Sequence, residues 1–349
     1  MPPERLTGIE VFLDEQPGET RGIVARDGRF ETLLIQRETD EPTHRLGARV
    51  VGRVVEADPG LGAAFVDLGG EPPMGFLPFA KATPLRIGQV LEVEVIAEPR
   101  ERKGPGLRLI GPAEGDPRLL THGASVAEDL ARLAPGVAVQ TGVAAIQASW
   151  DAEEEALADA DFYAEIGLDL AVQRTRALIA VDIDYVGLPG RDGRKGRAAA
   201  NRLGLVHAAR LIRLKRWGGL VAIDLIGTGH DSAVIGAEAR AAFGADPDIA
   251  YGPLNRFGVL QLALPWRRAP LEDVLNGWDG RQTPLTRTLD IVRRLRHATL
   301  SDTTIPRLVM HCAPAEAALA APLVARLGPR AGLKPDPDVL PGHSEIHEA

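Results

Sequence analysis

The sequence predicts an α+β protein of several domains, and three observations carry that expectation. About five short strand-like runs, separated by strong turn signals, crowd residues 46–110. Two apolar runs that each end on aspartate, around 178–184 and 220–224, flank a basic helix-like stretch. Helix and strand patterns alternate again over 284–327. With 349 residues, 45% of them hydrophobic and 25% charged, the chain has globular proportions and room for two or three domains. Aromatic residues make up only 4%, so the cores must be built from Ala, Val, Leu and Ile.

Taken in order, residues 8–36 read as short strands. Ile9–Leu13 is one and Arg21–Ala25 another, with Asp27-Gly28 as a hairpin turn into Phe30–Ile35. A polar break follows at Glu38–His44. Ala48–Val55 is strand-like, Asp58-Pro59-Gly60 is a strong turn, Ala63–Leu68 is the next strand and Gly69-Gly70 turns again. Met74–Leu77, Val90–Ala97 and Leu107–Ile110 complete a set that suits a small closed barrel of the oligonucleotide-binding type. Residues 136–146 look like another strand. Asp151–Asp169 holds eight acidic residues and no basic one, and reads as a solvated helix face. An α/β unit spans 178–264. Beyond it come a helix over Pro284–His297, a strand over Arg307–His311, a helix over Pro314–Leu327 and a Pro/Gly-rich tail expected to be loose. No internal repeat of fixed period is present.

Composition excludes several classes. A net charge of −8 argues against a whole-protein polyanion binder, so any nucleic-acid surface must be local. Cys312 is the single cysteine; it allows no internal disulfide and no Cys-x-x-Cys clip, which fits a reducing cytoplasm. The N-terminal residues lack the apolar core of a signal peptide, and no apolar run approaches membrane-spanning length. The expectation is a soluble cytoplasmic protein with no membrane partner. There is no Gly-x-Ser-x-Gly or His-Glu-x-x-His motif, and the eight histidines show no zinc-ligand spacing.

The chemistry concentrates between Ala177 and Gly227. Leu178–Val181 leads into Asp182 and Asp184, and Leu220–Ile223 leads into Asp224. If these runs are parallel neighbours, the crossover puts both acidic ends on one edge of the sheet. Carboxylates there are hard ligands of the kind that hold Mg²⁺ together with phosphate and water. Asp184, two positions past Asp182, would share its face. Apolar strands also end on Asp for turn or capping reasons, and that alternative stays open at this point.

The connecting segment, Arg191–Arg216, carries nine basic residues and one acid, a local charge of +8 in an acidic protein. On a helix Arg202, Arg210, Arg213 and Arg216 fall within an arc of about 120°, while Leu205, Ala208, Ala209 and Ile212 lie outside it and can face a sheet. A basic stripe beside paired carboxylates is what a polyanionic substrate needs; the competing reading is an ordinary solvated face. Gly187, Gly190, Gly193 and Gly196 recur every third residue, as a phosphate cradle or, without a following Gly-Lys-Ser/Thr, as a surface loop. In the barrel region Phe65 and Phe76 are stacking candidates, although spacing alone favours a core role. Lys81, Arg100, Arg102 and Lys103 could meet phosphates.

These residues resemble the ribonuclease E/G family. The string ALIAVDIDYVG resembles that family's strand ending in Ile-Asp-(Val/Ile)-Asn. Asn201 and the following HAARLIRLKRWGGLVAIDLIG resemble its Asn-Leu-Glu-Ala-Ala block, and the spacing from Asn201 to Asp224 agrees without a gap. LNRFGVLQL at 254–262 resembles Ser-Arg-Phe-Gly-(Leu)-Leu-Glu, and GRVVEADPGLGAAFVDLGGEPPMGFLP resembles the family's S1 RNA-binding domain. The resemblance runs in pieces from about residue 8 to about 345. It implies an Mg²⁺-dependent endoribonuclease that cuts single-stranded RNA. Asp182 and Asp224 match the metal-binding aspartates, Phe65 and Phe76 the barrel aromatics that contact RNA, and Lys103 falls near a lysine of similar role.

Several positions depart from the family. Asp184 stands for Asn, Gly227 for a second acid, Gln261 for Glu, Leu203 for Glu, and Gln140 for the Arg of a 5′-end sensing segment. The stretch from about 146 to 177 is much shorter, and the Cys-Pro-x-Cys zinc link is absent. The implied fold is an S1/OB-type barrel (41–112) inserted in a reduced RNase H-like part (1–40 and 113–177). A DNase I-like catalytic part (178–275) and a small α/β part with a loose tail (276–349) follow. On this reading Asp182 and Asp224 hold Mg²⁺ with Asp184 as a further ligand, Arg202, Arg210, Arg213 and Arg256 grip phosphates, and 5′-phosphate and 3′-hydroxyl ends result. A homodimer is compatible with it; a zinc-linked tetramer is not expected. The alternative is a non-catalytic RNA-binding regulator that has lost turnover.

Overall fold

The computed structural model describes residues 8–80, 82, 84–187 and 193–349, with Arg194 described in its backbone alone. The fold is mixed α+β in two compact units: Met1–Glu153 with Glu272–Ala349, and Glu154–Leu271. Among the described residues no helix is long and apolar enough to cross a membrane.

The first unit opens with β1 (Ile9–Gln16), β2 (Glu19–Arg26) and β3 (Arg29–Arg37), an antiparallel meander. Asp27 and Gly28 adopt φ of 53° and 74°, the left-handed pair that a two-residue hairpin demands. Five strands follow: β4 (Arg49–Asp58), β5 (Ala63–Asp67), β6 (Gly75–Pro78), β7 (Val90–Ala97) and β8 (Gly106–Pro112). They pair in the order β5-β6-β8-β7-β4, and β4 also pairs with β5, which closes a barrel; β6–β8 is its one parallel contact. Alternate residues such as Val50, Val54, Val66, Leu77, Val93 and Leu107 fill the interior. A sixth strand, β9 (Arg118–Thr121), lies against the start of β4.

Helix α1 (Val126–Leu133) starts from a capping box made by Ser125 and Glu128 and packs Val126 and Leu130 onto Val11, Val24 and Leu34. Next, β10 (Val139–Gln140) joins β1 in parallel, giving the order β10-β1-β2-β3. The strand expected over 136–146 is therefore confined to two residues. From Val143 the chain is helical, as α2 (Val143–Leu157), because Ala145, Ala148, Ala152 and Ala156 bury one face at helical spacing.

The second unit is built on one six-stranded sheet. Its elements are β11 (Ala160–Tyr163), β12 (Leu168–Arg174), β13 (Ile179–Tyr185), α3 (Gly193–Lys215), β14 (Gly219–Asp224), α4 (Ser232–Phe243), β15 (Ala250–Tyr251) and β16 (Val259–Leu264). The strand order is β11-β12-β13-β14-β16-β15, with β13 and β14 parallel. The helical reading of Asp151–Asp169 is corrected here. Only its first turns are helical; the rest forms the β11–β12 hairpin, whose Tyr163, Leu168 and Leu170 are buried. Residues 113–177, read as one stretch, thus divide: β9, α1 and β10 stay with the first unit, and β11–β12 extend the sheet of β13.

The chain then returns to the first unit through α5 (Leu271–Leu275), α6 (Pro284–Ser301), β17 (Leu308–Cys312), α7 (Pro314–Val324), β18 (Ala331–Pro335) and β19 (Ser344–Glu348). The tail expected to be loose pairs on both sides of β17 instead. Leu333 and Ile346 in those strands pack on the cluster of Met310, Val292 and Leu295, and that burial recruits them.

Helix α6 meets β1 and β2 through buried charge. Arg293 Nε donates to Asp14 Oδ2 at 2.7 Å and its Nη2 to Glu19 Oε1 at 2.8 Å. Arg37 Nε donates to Glu19 Oε2 at 2.8 Å, and Arg21 donates to both Glu19 and Glu153. Asp14, Glu19, Arg21 and Arg293 are all 0–2% exposed. Burial alone would raise the Glu19 carboxyl, but the guanidinium groups of Arg21, Arg293 and Arg37 overcome it and hold that carboxyl far below the usual range. Its stabilising contribution is complete above its ordinary value of 4.5 and is lost only on strong acidification. Arg293→Ala takes one guanidinium from each of two buried carboxylates, while Arg296 stays on Asp14 and Arg21 and Arg37 stay on Glu19; urea unfolding should show a loss of about 1.5–3 kcal/mol, with acid unfolding moved to higher pH.

Candidate active site and nucleic-acid interface

Parallel pairing of β13 with β14 sets Asp182 directly beside Asp224. Adjacent strands lie ~4.8 Å apart, so the two carboxyl groups share one level of the sheet. Alternation fixes which way they face. Val181 and Ile183 on β13, and Val221 and Ile223 on β14, are buried in the helix-covered core, while Asp182, Asp184 and Asp224 are exposed. Helix α3 lies close against β13 because Gly196 and Gly204 carry no side chain. A Cβ at Gly204 would come within 2.6 Å of Ile183, and one at Gly196 within 2.4 Å of Tyr185. Gly196 and Gly204 therefore serve packing, whereas Gly187 faces open space and a Cβ at Gly193 would make only an ordinary contact with Arg197, at 3.7 Å. Gly190 of the same series lies outside the described residues, as do Lys81, Arg191 and Asp192.

A further acid joins this face. Asp169 on β12 stands opposite Asp184, and Ala171 opposite Asp182. Burial, then the negative charges of Asp224, Asp184 and Asp169 in that order, push the Asp182 carboxyl upward. Asp169 is exposed and was missed because its neighbourhood reads as a charged helix; the signal for it is the period-two pattern Leu168-Asp169-Leu170. Asp184 behaves in part as a turn residue, since its Oδ1 accepts from Tyr185 N at 2.7 Å. Among the described residues, the side chains of Asp182 and Asp224 make no hydrogen bond or ion pair, so no capping role accounts for them. Nor do three His, Cys, Asp or Glu side chains among those residues form a group that encloses a metal unaided. The donor chemistry, two neighbouring hard carboxylates open to solvent, fits an Mg²⁺ ion that completes its shell with water and phosphate oxygens.

Two devices fix the chain just past Asp224. Asn201 on α3 is buried, and its side chain brackets Ile226, accepting from the Ile226 N–H at 2.9 Å and donating to the Ile226 carbonyl at 3.3 Å. Leu225 N donates to Gly258 O at 3.3 Å, tying in the turn before β16. Gly258 has φ 88°, and a Cβ there would meet Gly227 O at 2.6 Å, so glycine is required. That turn presents Arg256, exposed, with its guanidinium 4.7 Å from the exposed Phe257 ring. Asn255 Oδ1 holds it by accepting from Phe257 N and Val259 N.

The basic helix is divided in role. Arg202 and Arg213 are exposed, and Arg213 donates to Ala242 O. Arg210, expected on phosphate, is 2% exposed and committed internally: it pairs with Glu155 at 2.6 Å and donates to Tyr163 Oη at 3.2 Å. Lys215 is likewise buried, donating to the carbonyls of Ala156 and Ala158. Helical spacing puts Arg210 on the same arc as its basic neighbours, and the β11–β12 hairpin, distant in sequence, covers it.

On the barrel, Phe65 and Phe76 are cross-strand partners on adjacent strands, in edge-to-face contact with ring centroids 5.9 Å apart. Spacing favoured a core role; the rings lie outside the core cluster, Phe65 half-buried and Phe76 36% exposed. Lys103 is exposed in the turn entering β8, bridged to Arg100, and Gly106 three residues on pairs with Phe76. No family model matches this chain, and no curated protein matches it.

The upward push on Asp182 has a sign that can be checked. An acid whose carboxyl is raised in the folded state destabilises the fold above that raised value and loses the effect on protonation. Asp224→Asn should therefore raise the melting temperature at pH 7, with the difference from wild type vanishing near pH 3. Millimolar Mg²⁺ should raise the wild-type melting temperature and leave Asp224→Asn unmoved.

Proposed function

We propose that the chain is a divalent-metal-dependent endoribonuclease acting on single-stranded RNA, a shortened relative of the ribonuclease E/G type. The pairing of Asp182 with Asp224 at neighbouring parallel strand ends carries this reading. Two carboxylates that repel each other, exposed, level and without a side-chain partner among the described residues, have a use as cation ligands and a cost otherwise. Asp182 and Asp224 would hold the ion, with Asp169 and Asp184 deepening the negative field. When bound, Mg²⁺ lowers the pKa of a coordinated water and neutralises charge developing on a phosphate. Arg202 and Arg256 are placed to hold flanking phosphates, and Arg213 to extend that grip along α3. Arg210 has no part in it. The products are 5′-phosphate and 3′-hydroxyl ends.

The barrel supplies the second half of the reading. Its strand order, with one parallel contact between the third and fifth strands, supports an S1/OB-type module, and the β10-β1-β2-β3 sheet that receives it supports a reduced RNase H-like part. Phe65 and Phe76 offer ring surface on its outside, where an unstacked base gains ~1–3 kcal/mol per ring. Lys103 adds a nearby cation.

Labelled AU-rich single-stranded RNA incubated with purified protein and Mg²⁺ tests the proposal. Wild type should cleave, chelation should stop cleavage, and Asp182→Asn or Asp224→Asn should slow it by ~10²–10³-fold or more. Phe76→Ala should weaken RNA binding about tenfold with the Asp pair intact. Equal binding by wild type and Asp224→Asn, with cleavage by neither, would identify a binding module and end the nuclease reading.

A further inference from the structure

Trp278 is the most exposed aromatic side chain of the first unit, at 76%. Its loop is rigid. Asn276 bridges Gln282, Gly277 N donates to Arg281 O at 2.8 Å, and Gly280 N donates to Gly277 O at 3.0 Å. The loop also adjoins the barrel. Arg102, next to Lys103, places its guanidinium 5.3 Å from the Trp278 ring centroid, and Glu101 N donates to Asp273 Oδ2 at 3.3 Å. Beyond the tryptophan lies a cavity of about 480 Å³ lined by Gly277, Asp279, Arg281, Gln282, Thr283 and Arg287, among others. Arg287 is committed to Glu316 and to the Gln282 carbonyl, whereas Arg281 is exposed, its backbone held by Asp279 at the N–H and by Gly277 at the carbonyl.

We infer that this loop is a second base-stacking station, binding single-stranded nucleic acid that continues past Phe65 and Phe76 across Lys103. The inference rests on the reading that the barrel face binds single strands, and it adds a site to that face. An exposed indole offers a broad ring face with a polar edge, a surface suited to stacking. What surrounds this one decides the partner. Arg102 lies over the ring, Arg281 follows three residues on, and the adjoining cavity presents Arg281, Gln282, Thr283 and Arg287 beside Asp279, Pro284 and Pro341. A protein docking site would instead continue the apolar surface around its aromatic anchor. Arg102 covers one face of the ring, leaving the other to a base, and Arg281 is positioned for the next phosphate.

The experiment uses the full chain with EDTA present, so that binding is read without cleavage. Tryptophan emission is followed during titration with oligouridylate RNA of 5 and of 15 nucleotides. The 15-mer should quench emission, and Trp278→Ala should lose that quenching and bind the 15-mer about tenfold more weakly, while Trp278→Phe retains most of the affinity. The 5-mer, short enough to sit on Phe65 and Phe76 alone, should bind wild type and Trp278→Ala equally. If Phe76→Ala weakens binding of both lengths while Trp278→Ala changes neither, the station is overturned and the barrel reading stands. If wild type binds neither length, both fall. A change in sedimentation with Trp278→Ala and none in RNA affinity would assign the ring to a protein contact and also overturn the inference.

Discussion

The register between β13 and β14 is the constraint from which the candidate site follows. A slip of one residue would turn Asp182 or Asp224 into the apolar core. The core forbids it, because Val181, Ile183, Val221 and Ile223 are buried on the helix side of the same two strands. Helix α3 enforces the arrangement twice over. As the crossover between parallel strands it brings the two acidic ends to one edge, and through Asn201 it holds the backbone just beyond Asp224. Gly196 and Gly204 set how closely it can do so. The carboxylates themselves add nothing to this packing and oppose one another across it. Apolar burial elsewhere in the unit offsets their repulsion.

The first unit solves a different problem. Its two chain segments are separated by the whole of the second unit, and Arg293 reaches partners 279 and 274 positions away in sequence. Apolar contact alone tolerates sliding between a helix and a sheet. Fork-shaped guanidinium groups on Asp14 and Glu19 do not, since each lost bond leaves a buried charge with one partner fewer. The N-terminal meander and α6 are thus locked in one register, and β10 completes the sheet from the far side of the barrel. The barrel needs none of this, because its strands close on themselves over their own core.

Much of this was legible in the sequence, and the failures share a cause. The Asp27-Gly28 hairpin, the barrel strands and the acidic strand ends were readable because each rests on local chemistry: a left-handed turn pair, two-residue alternation, an apolar run with a polar stop. Asp151–Asp169 was misread because its charges obscured the alternation of Leu168, Leu170 and Val172, whose burial depends on strands later in the chain. Arg210 and Lys215 looked like solvent-facing cations because the elements that bury them lie more than forty residues upstream. The tail looked loose because Pro and Gly dominate its composition, while its few apolar residues find β17 only in three dimensions. For Phe65 and Phe76, spacing alone erred in the opposite sense. A core role is the ordinary expectation for phenylalanine, and only pairing shows that these two share an outer face.

On the proposed reading this acidic chain handles a polyanion, and its charges are sorted by face. The exposed face of the second unit's sheet carries Asp169, Asp182, Asp184 and Asp224, which without a cation would repel phosphate. Cations that could compensate are withdrawn from general use: Arg210 and Lys215 neutralise the β11–β12 region and the end of α2, leaving Arg202, Arg213 and Arg256 exposed. The barrel's outer face carries the Phe65 and Phe76 rings and the exposed Lys103. On the proposed reading, holding RNA and cutting it therefore have separate electrostatic requirements. The first is met by rings and scattered cations. The second is met only when a divalent ion reverses the sign of a face that the strand register has made negative.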